Sequence, residues 1–262
     1  AAIGTLADVT EIMPTNLCAA TVNWTAPTIT DSEGCGYRLT WKVLDANGAV
    51  LHTPTEDANG NTPATSWNGF PIGVSYVEYT VKGKKRLKVT VTAPHVNIDV
   101  TGDFVAAKTT TAARVTELNK GTTAYYRVTL KNNTAQSLGT SSLRVTLPDN
   151  TNDNYELPEA TDTNIQASGL GSVSVAYDTG NPRVLIFSNI DGGELIQNTN
   201  RYIFVPIKIK NIADCSQYEN ACRAVLTAKA TLGYSTGNGC STEGTKEGGV
   251  AWAQIKNTGS CE

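Results

Sequence analysis

The chain has 262 residues, 40% of them hydrophobic and 17% charged, with a formal net charge of −3. This is a globular composition with room for one large or two ordinary domains, because domains usually hold about 100–150 residues. It gives no reason to expect a nucleic-acid partner, which normally requires a concentrated basic face. No apolar run is long enough to cross a bilayer, so we expect no membrane insertion. The start at Ala1-Ala2-Ile3-Gly4 fits a processed end or an excised segment.

The region 18–93 alternates between strand patterns and turn signals. Its predicted strands are 21–25, 37–44, 49–51, 77–81 and 87–91. In the second strand Tyr37, Leu39, Trp41 and Val43 share one face, as expected for a half-buried strand. The basic run 82–86 joins the last two strands, and we interpret it as a solvated hairpin turn rather than a polyanion site.

The stretch Asn68-Gly-Phe-Pro-Ile-Gly73 stands directly before the strand at 77–81. We expect Gly69 and Gly73 to take positive φ, while Pro71 fixes its own φ. Phe70 is then placed to cap the core.

The region 97–262 predicts a second set of strands after a linker at 93–96. These strands are 97–105, 122–131, 142–147, 172–177, 184–188, 202–210, 222–233 and 250–256. A helix competes at 221–230, where Ala, Leu, Lys and Arg are good helix formers, but the alternation of side chains favours a strand. A helical turn is the other helical prediction, at 112–119. Strands and turns in both regions predict two β-sandwiches.

The cysteine count is even, and no Cys-x-x-Cys unit occurs, so a zinc site is disfavoured. The six residues are Cys18, Cys35, Cys215, Cys222, Cys240 and Cys261. An oxidising compartment is therefore favoured. We expect neighbours to pair within one domain, each bridge adding about 2–3 kcal/mol. The expected bridges are Cys18–Cys35, Cys215–Cys222 and Cys240–Cys261.

Catalytic chemistry has little support in the sequence. The two histidines, His52 and His95, lie in a predicted loop and in the linker, where nothing predicts a nucleophile within hydrogen-bond reach. We expect no catalytic residues and no organic cofactor, so the chain is interpreted as a non-enzyme.

Structural Ca²⁺ is the one metal hypothesis, because this ion prefers six to eight oxygen ligands. The first candidate loop offers Asp57, Asn59 and Asn61. The second offers Asp149, Asn152 and Asp153. The alternative is that these residues bond to their own turns.

Exposed aromatic residues would indicate a sugar-binding face. Trp24 and Trp41 fall on predicted strands and are expected in the core, whereas Trp67 is placed to pack under Phe70. Trp252 fits either setting. The sequence predicts no particular ligand-binding residue.

The first region, 1–94, resembles the hyaline repeat (HYR) family, an immunoglobulin-like extracellular module. The resemblance rests on Cys18, on Trp24-Thr-Ala-Pro27 followed by Asp31, on Gly34-Cys35 and above all on Asn68-Gly-Phe-Pro-Ile-Gly-Val-Ser-Tyr-Val-Glu-Tyr-Thr-Val81. An acidic residue and a further motif usually follow this strand in the family. Here the basic run 82–86 stands instead.

The second region, 95–262, looks like the DUF11-like conserved-repeat modules of bacterial surface proteins. The resemblance rests on Tyr126-Arg-Val-Thr-Leu-Lys-Asn-Asn133, on Leu143-Arg-Val-Thr-Leu-Pro-Asp149 and on the late strand at 202–210. The pair resembles large adhesins of Bacteroidota, including those used in gliding.

These observations predict an all-β chain of two tandem immunoglobulin-like β-sandwich domains. The predicted function is that of a non-catalytic, extracellular module of a bacterial cell-surface adhesin, acting in adhesion or as a stalk. Its expected partners are other modules of the same chain or surface assembly, with glycans or a surface as further options. The alternative is a carbohydrate-binding module of a secreted protein.

Overall fold

The computed structural model describes residues 1–15, 17–55, 65–151, 153–211, 225–236 and 243–256. The chain divides into two compact units. Unit 1 contains Ala1–His95, and unit 2 contains Val96–Thr236 together with the described residues 243–256.

Nine strands build the described part of unit 1. They are β1 (Ala2–Ile3), β2 (Val9–Ile12), β3 (Ala20–Asn23), β4 (Ile29–Thr30), β5 (Thr40–Asp45), β6 (Val50–His52), β7 (Ser66–Phe70), β8 (Gly73–Thr80) and β9 (Lys84–Thr92). One layer is a five-stranded sheet in the order β2-β9-β8-β5-β6, in which β2 runs parallel to β9. The opposite layer consists of the pairs β3-β7 and β1-β4. The order β9-β8-β5-β6 opposite β3-β7 is the G-F-C-C′ and B-E arrangement of an immunoglobulin-like sandwich.

The core of unit 1 follows from period-2 alternation. Val77 and Tyr79 of β8 point inward and are fully buried, as are Leu87 and Val89 of β9. Trp41 lies on β5, the strand that carries the buried tryptophan in immunoglobulin domains. The expected inward position of Tyr37 was wrong, because β5 begins at Thr40 and Tyr37 is exposed before it.

The motif before β8 has a different geometry from the predicted one. Gly73 has φ 114°, as expected, but Gly69 does not take a positive φ. Gly69 is required for space instead, because a Cβ there would lie 2.2 Å from the Trp67 indole. That indole packs edge-on against Phe70 at 4.8 Å between ring centroids, and Phe70 is fully buried.

Thirteen strands build the described part of unit 2. They are β10 (Ile98–Val105), β11 (Glu117–Asn119), β12 (Thr123–Asn132), β13 (Leu138–Thr146), β14 (Tyr155–Glu156), β15 (Gln166–Ser168), β16 (Ser174–Asp178), β17 (Asn181–Ser188), β18 (Glu194–Leu195), β19 (Asn200–Ile209), β20 (Val225–Ser235), β21 (Glu243–Glu247) and β22 (Ala251–Lys256). One sheet has the order β10-β12-β19-β14, and the other has the order β11-β22-β20-β13-β17-β16. In immunoglobulin strand letters, the first order corresponds to A-B-E-D. In the second, β22-β20-β13 corresponds to G-F-C, with β11 added at one edge and β17 and β16 at the other. A single apolar core lies between the two sheets.

The expected all-β fold with two immunoglobulin-like sandwiches is confirmed by these strand orders. The strand interpretation of 222–233 is also confirmed over its described part, because β20 alternates between buried and less buried residues. The helical turn expected at 112–119 was wrong. Glu117–Asn119 instead forms β11, which pairs in parallel with β22.

Arg127 of β12 anchors the segment that follows β10. Its guanidinium donates two hydrogen bonds to Asp103, at 2.9 and 2.6 Å, and further bonds to the carbonyls of Thr109, Thr110 and Ala112. The fork geometry of arginine permits this set of contacts, which a lysine could not reproduce.

A buried hydrogen bond generates the first prediction. The Trp24 indole donates to the Tyr79 hydroxyl at 2.7 Å inside unit 1. We expect Tyr79→Phe to lower the free energy of unfolding of this unit by about 1–3 kcal/mol, because the indole N–H loses its acceptor. Urea unfolding followed by tryptophan fluorescence measures this in a Trp252→Phe background, where the remaining tryptophans all lie in unit 1.

The matched control is Tyr76→Phe, which removes a hydroxyl from the outer side of the same strand. This change should alter stability by less than about 0.5 kcal/mol. Equal losses in the two variants would contradict the assigned role of Tyr79.

Candidate functional site

The outer face of the five-stranded sheet in unit 1 carries a cluster of charged side chains. Glu78 of β8 faces away from the core, between Lys42 of β5 and Arg86 of β9, which are its direct partners in register. Arg86 places both Nε and Nη2 2.7 Å from Glu78 Oε2. Lys42 Nζ and Lys84 Nζ each lie 3.5 Å from Oε1.

Glu78 is ionised at neutral pH despite its 1% side-chain exposure. Burial by itself raises the pKa of Glu78, but the hydrogen bond and charge of Arg86, followed by Lys84 and Lys42, more than offset this and hold the pKa below its usual value. One carboxylate therefore balances three cations, and the face keeps an excess of positive charge.

The prediction that the whole basic run 82–86 forms a solvated turn was wrong in part. Only residues 81–83 form the turn, and Lys84 is already in β9. Lys82 pairs with Glu33 at 2.6 Å, and Lys85 donates to the Gly4 carbonyl at 3.2 Å. Glu78 and Lys42, which complete the cluster, were not predicted from the sequence.

The tryptophans divide between core and surface. Trp24 and Trp41 are both buried, as predicted. Trp252 on β22 is 45% exposed, on the outer face of its sheet, with the Arg114 guanidinium 5.6 Å from the ring centroid. Its register partner across the sheet is Thr227. Trp252 is thus the exposed tryptophan that a sugar ring could contact.

The two histidines lie apart from one another in different settings. His52 belongs to β6 and stacks on Trp67 at 5.2 Å between ring centroids, so it acts as an aromatic packing partner. His95 is exposed in the segment between β9 and β10. Within the described ranges, no three His, Cys, Asp or Glu residues come together in a way that could hold a metal ion.

The candidate calcium loops are described only in part. Asp57, Asn59, Asn61 and Asn152 lie outside the described residues. Asp149 accepts hydrogen bonds from the hydroxyl and backbone N–H of Thr151, and the hydroxyl bond lowers the pKa of Asp149. Asp153 pairs with Lys210 at 2.5 Å. These contacts are typical of turn residues, and calcium binding stays a prediction.

The expected Cys18–Cys35 bridge was wrong, because Cys35 is an exposed free thiol. Cys35 lies in a loop in which the Asp31 carboxylate accepts a hydrogen bond from the Gly36 N–H at 2.9 Å. The Cys35 thiol lies 3.5 Å from the Glu33 carbonyl of the same loop. Cys18 is disulfide-bonded. The other four cysteines, Cys215, Cys222, Cys240 and Cys261, lie outside the described residues.

Comparison with known proteins gives no family. No family model and no curated protein matches the chain, so the resemblances to HYR and DUF11 modules stay predictions. In the part of the chain that the structure describes, no helix has the length and apolar character needed to cross a membrane.

Three solved structures show distant likeness. The major pilin BcpA of Bacillus cereus is 13% identical, with a TM-score of 0.38 over 90% of this chain and 69% of the pilin. The major pilin SpaD of Corynebacterium diphtheriae is 11% identical, with a TM-score of 0.41 over 92% and 67%. The C-terminal domain of the AgI/II polypeptide BspA of Streptococcus agalactiae is 9% identical, with a TM-score of 0.39 over 94% of each chain. The immunoglobulin-like assignment of each unit rests on its strand order.

The charged cluster predicts a pH dependence for unit 1. The folded-state pKa of Glu78 is lowered, so its ionised form stabilises the unit above the unfolded pKa, and this contribution is lost as pH falls through the folded value. We expect Glu78→Gln to cost about 1–3 kcal/mol at pH 7. The difference from the wild type should shrink at acid pH, as measured by urea unfolding between pH 7 and pH 3.

Glu33→Gln is the matched control, because it removes an exposed carboxylate that pairs with Lys82, and Lys82 lies in the turn of the hairpin that contains Glu78. An exposed pair contributes about 0–1 kcal/mol, so its effect should be small at every pH. A Glu78→Gln deficit that does not change with pH would contradict the role assigned to the carboxylate.

Proposed function

We propose that the chain is a non-catalytic, extracellular module of a bacterial cell-surface adhesin, serving in adhesion or as part of a stalk. The observation that carries this proposal is the repetition of one architecture. Each unit is an immunoglobulin-like sandwich built around its own apolar core. Only residues 93–97 lie between the last strand of one and the first strand of the next.

Tandem sandwiches suit a mechanical role. In unit 2, antiparallel pairs such as β12-β19 and β13-β20 connect segments far apart in sequence, so opening this core requires many backbone hydrogen bonds to break together. Polar side chains at the loops are used to fix turns, as Asp45 does by accepting from the N–H groups of Asn47 and Ala49. The outer faces of the sheets are then the surfaces for partners, either other modules of the same assembly or glycans.

We further propose that the module belongs to a large surface adhesin of Bacteroidota and acts in a gliding or attachment assembly. This assignment is based on the HYR-like stretch that forms β7, the turn at Pro71 and β8. Trp67, Phe70 and Gly73 take packing and turn roles there, so the stretch supports a module type rather than a binding site.

Surface exposure on the source organism tests this function. Antibodies against the chain should label intact cells, because an adhesive or stalk module must lie outside the cell to act. Mild protease treatment of intact cells should remove the label while a cytoplasmic protein stays intact. Labelling that appears only after lysis would overturn the proposal.

A carbohydrate-binding module is the second candidate, favoured by the exposure of Trp252. An aromatic ring beside polar side chains such as Thr227 and Gln254 is a common sugar platform, but Arg114 already lies over this ring. We therefore expect a glycan array probed with the full chain to be largely blank. Micromolar binding that is lost in Trp252→Ala and kept in Trp67→Phe would establish the sugar-binding alternative instead.

A further inference from the structure

We propose that the outer face of the five-stranded sheet in unit 1 binds an extended acidic polypeptide segment. The contacting groups are Lys84, Arg86 and Lys88 of β9, with Lys42 beside them on β5. This inference names a partner class for the adhesive module proposed above and rests on that proposal.

The spacing of the cations follows from the strand. Leu87 and Val89 of β9 are fully buried, so Lys84, Arg86 and Lys88 project from the opposite side. Alternate residues of a strand are about 6.8 Å apart, so these three cations form a row about 14 Å long. Alternate side chains of an extended peptide have the same spacing, so carboxylates at every second residue match this row.

The positive charges on this face outnumber the carboxylates that lie beside them. Lys42, Lys84 and Arg86 share the single carboxylate of Glu78. The ammonium groups of Lys42 and Lys84 approach Oε1 at 3.5 Å without a hydrogen bond, which leaves their N–H donors for other acceptors. These side chains are 37% and 63% exposed. Asp8, at the edge, accepts from the backbone N–H of Lys88.

The face is preorganised for carboxylates rather than for a sugar ring. Glu78 holds the Arg86 guanidinium from one side, and Tyr76 supports it from below at 5.8 Å from the ring centroid. Because the guanidinium lies over this ring, the ring face is not free to stack on a pyranose. A fixed guanidinium flanked by two ammonium groups presents donors that suit a row of carboxylates.

The experiment measures binding of a fluorescent oligoglutamate peptide to the full chain by anisotropy, at low and at physiological salt. The test variant is Lys84→Gln/Lys88→Gln. The matched control is Lys82→Gln/Lys85→Gln, which removes the same charge from neighbouring side chains that contact Glu33 and the Gly4 carbonyl instead. We expect binding by the wild type and the control, and an affinity at least about fivefold weaker in the test variant. Thermal unfolding verifies that both variants are folded.

Three outcomes would overturn the inference. Equal losses in both double variants would show that net charge, not this row, attracts the peptide. Binding of a polyuronate but not of the peptide would replace the polypeptide by an acidic polysaccharide. Absence of any peptide binding would remove the site, while the labelling of intact cells would still decide the proposed adhesive role separately.

Discussion

The hydrogen bond between the Trp24 indole and the Tyr79 hydroxyl is the contact on which the organisation of unit 1 depends. It joins the end of β3 in one layer to β8 in the other, and both residues are buried. Because side chains alternate along a strand, fixing Tyr79 inward fixes Glu78 outward. A slip of one residue would bury the carboxylate without its three cations and expose Val77. The register of the core and the charge of the outer face are therefore set by the same constraint.

Both units cover the edge of a sheet in the same way. In each, a short early strand pairs in parallel with the last strand, β2 with β9 and β11 with β22. This pairing covers the backbone groups of the final strand, which would otherwise remain open to association with another chain. The outer faces of the sheets differ in the side chains that they carry. Unit 1 presents a positively charged face, and unit 2 presents Trp252 under Arg114.

Much of the fold could be predicted from local patterns, and the failures have identifiable causes. Long alternating strands such as β12 and β19 are visible because one face of each is continuously apolar. Strands of two or three residues, such as β14 and β18, carry no period and exist only because a longer strand offers them hydrogen bonds. The turn role predicted for Gly69 was wrong, because this position needs a glycine to leave space for the Trp67 ring. Local sequence patterns do not reveal that contact.

The charged cluster around Glu78 also combines residues close together in sequence with a residue brought in by strand pairing. Arg86 lies opposite Glu78 because the turn is only residues 81–83, whereas the predicted turn at 82–86 left Arg86 outside the strand, so this pair was missed. Lys42 joins it only through the pairing of β5 with β8, across more than thirty intervening residues. Composition, alternation and turn residues by themselves determined an all-β chain with two sandwiches, because burial of alternate side chains is a local property. Which cysteine stays free, which tryptophan is exposed and which cations share one carboxylate were decided by the tertiary structure, because these depend on strand pairs whose register is set by packing.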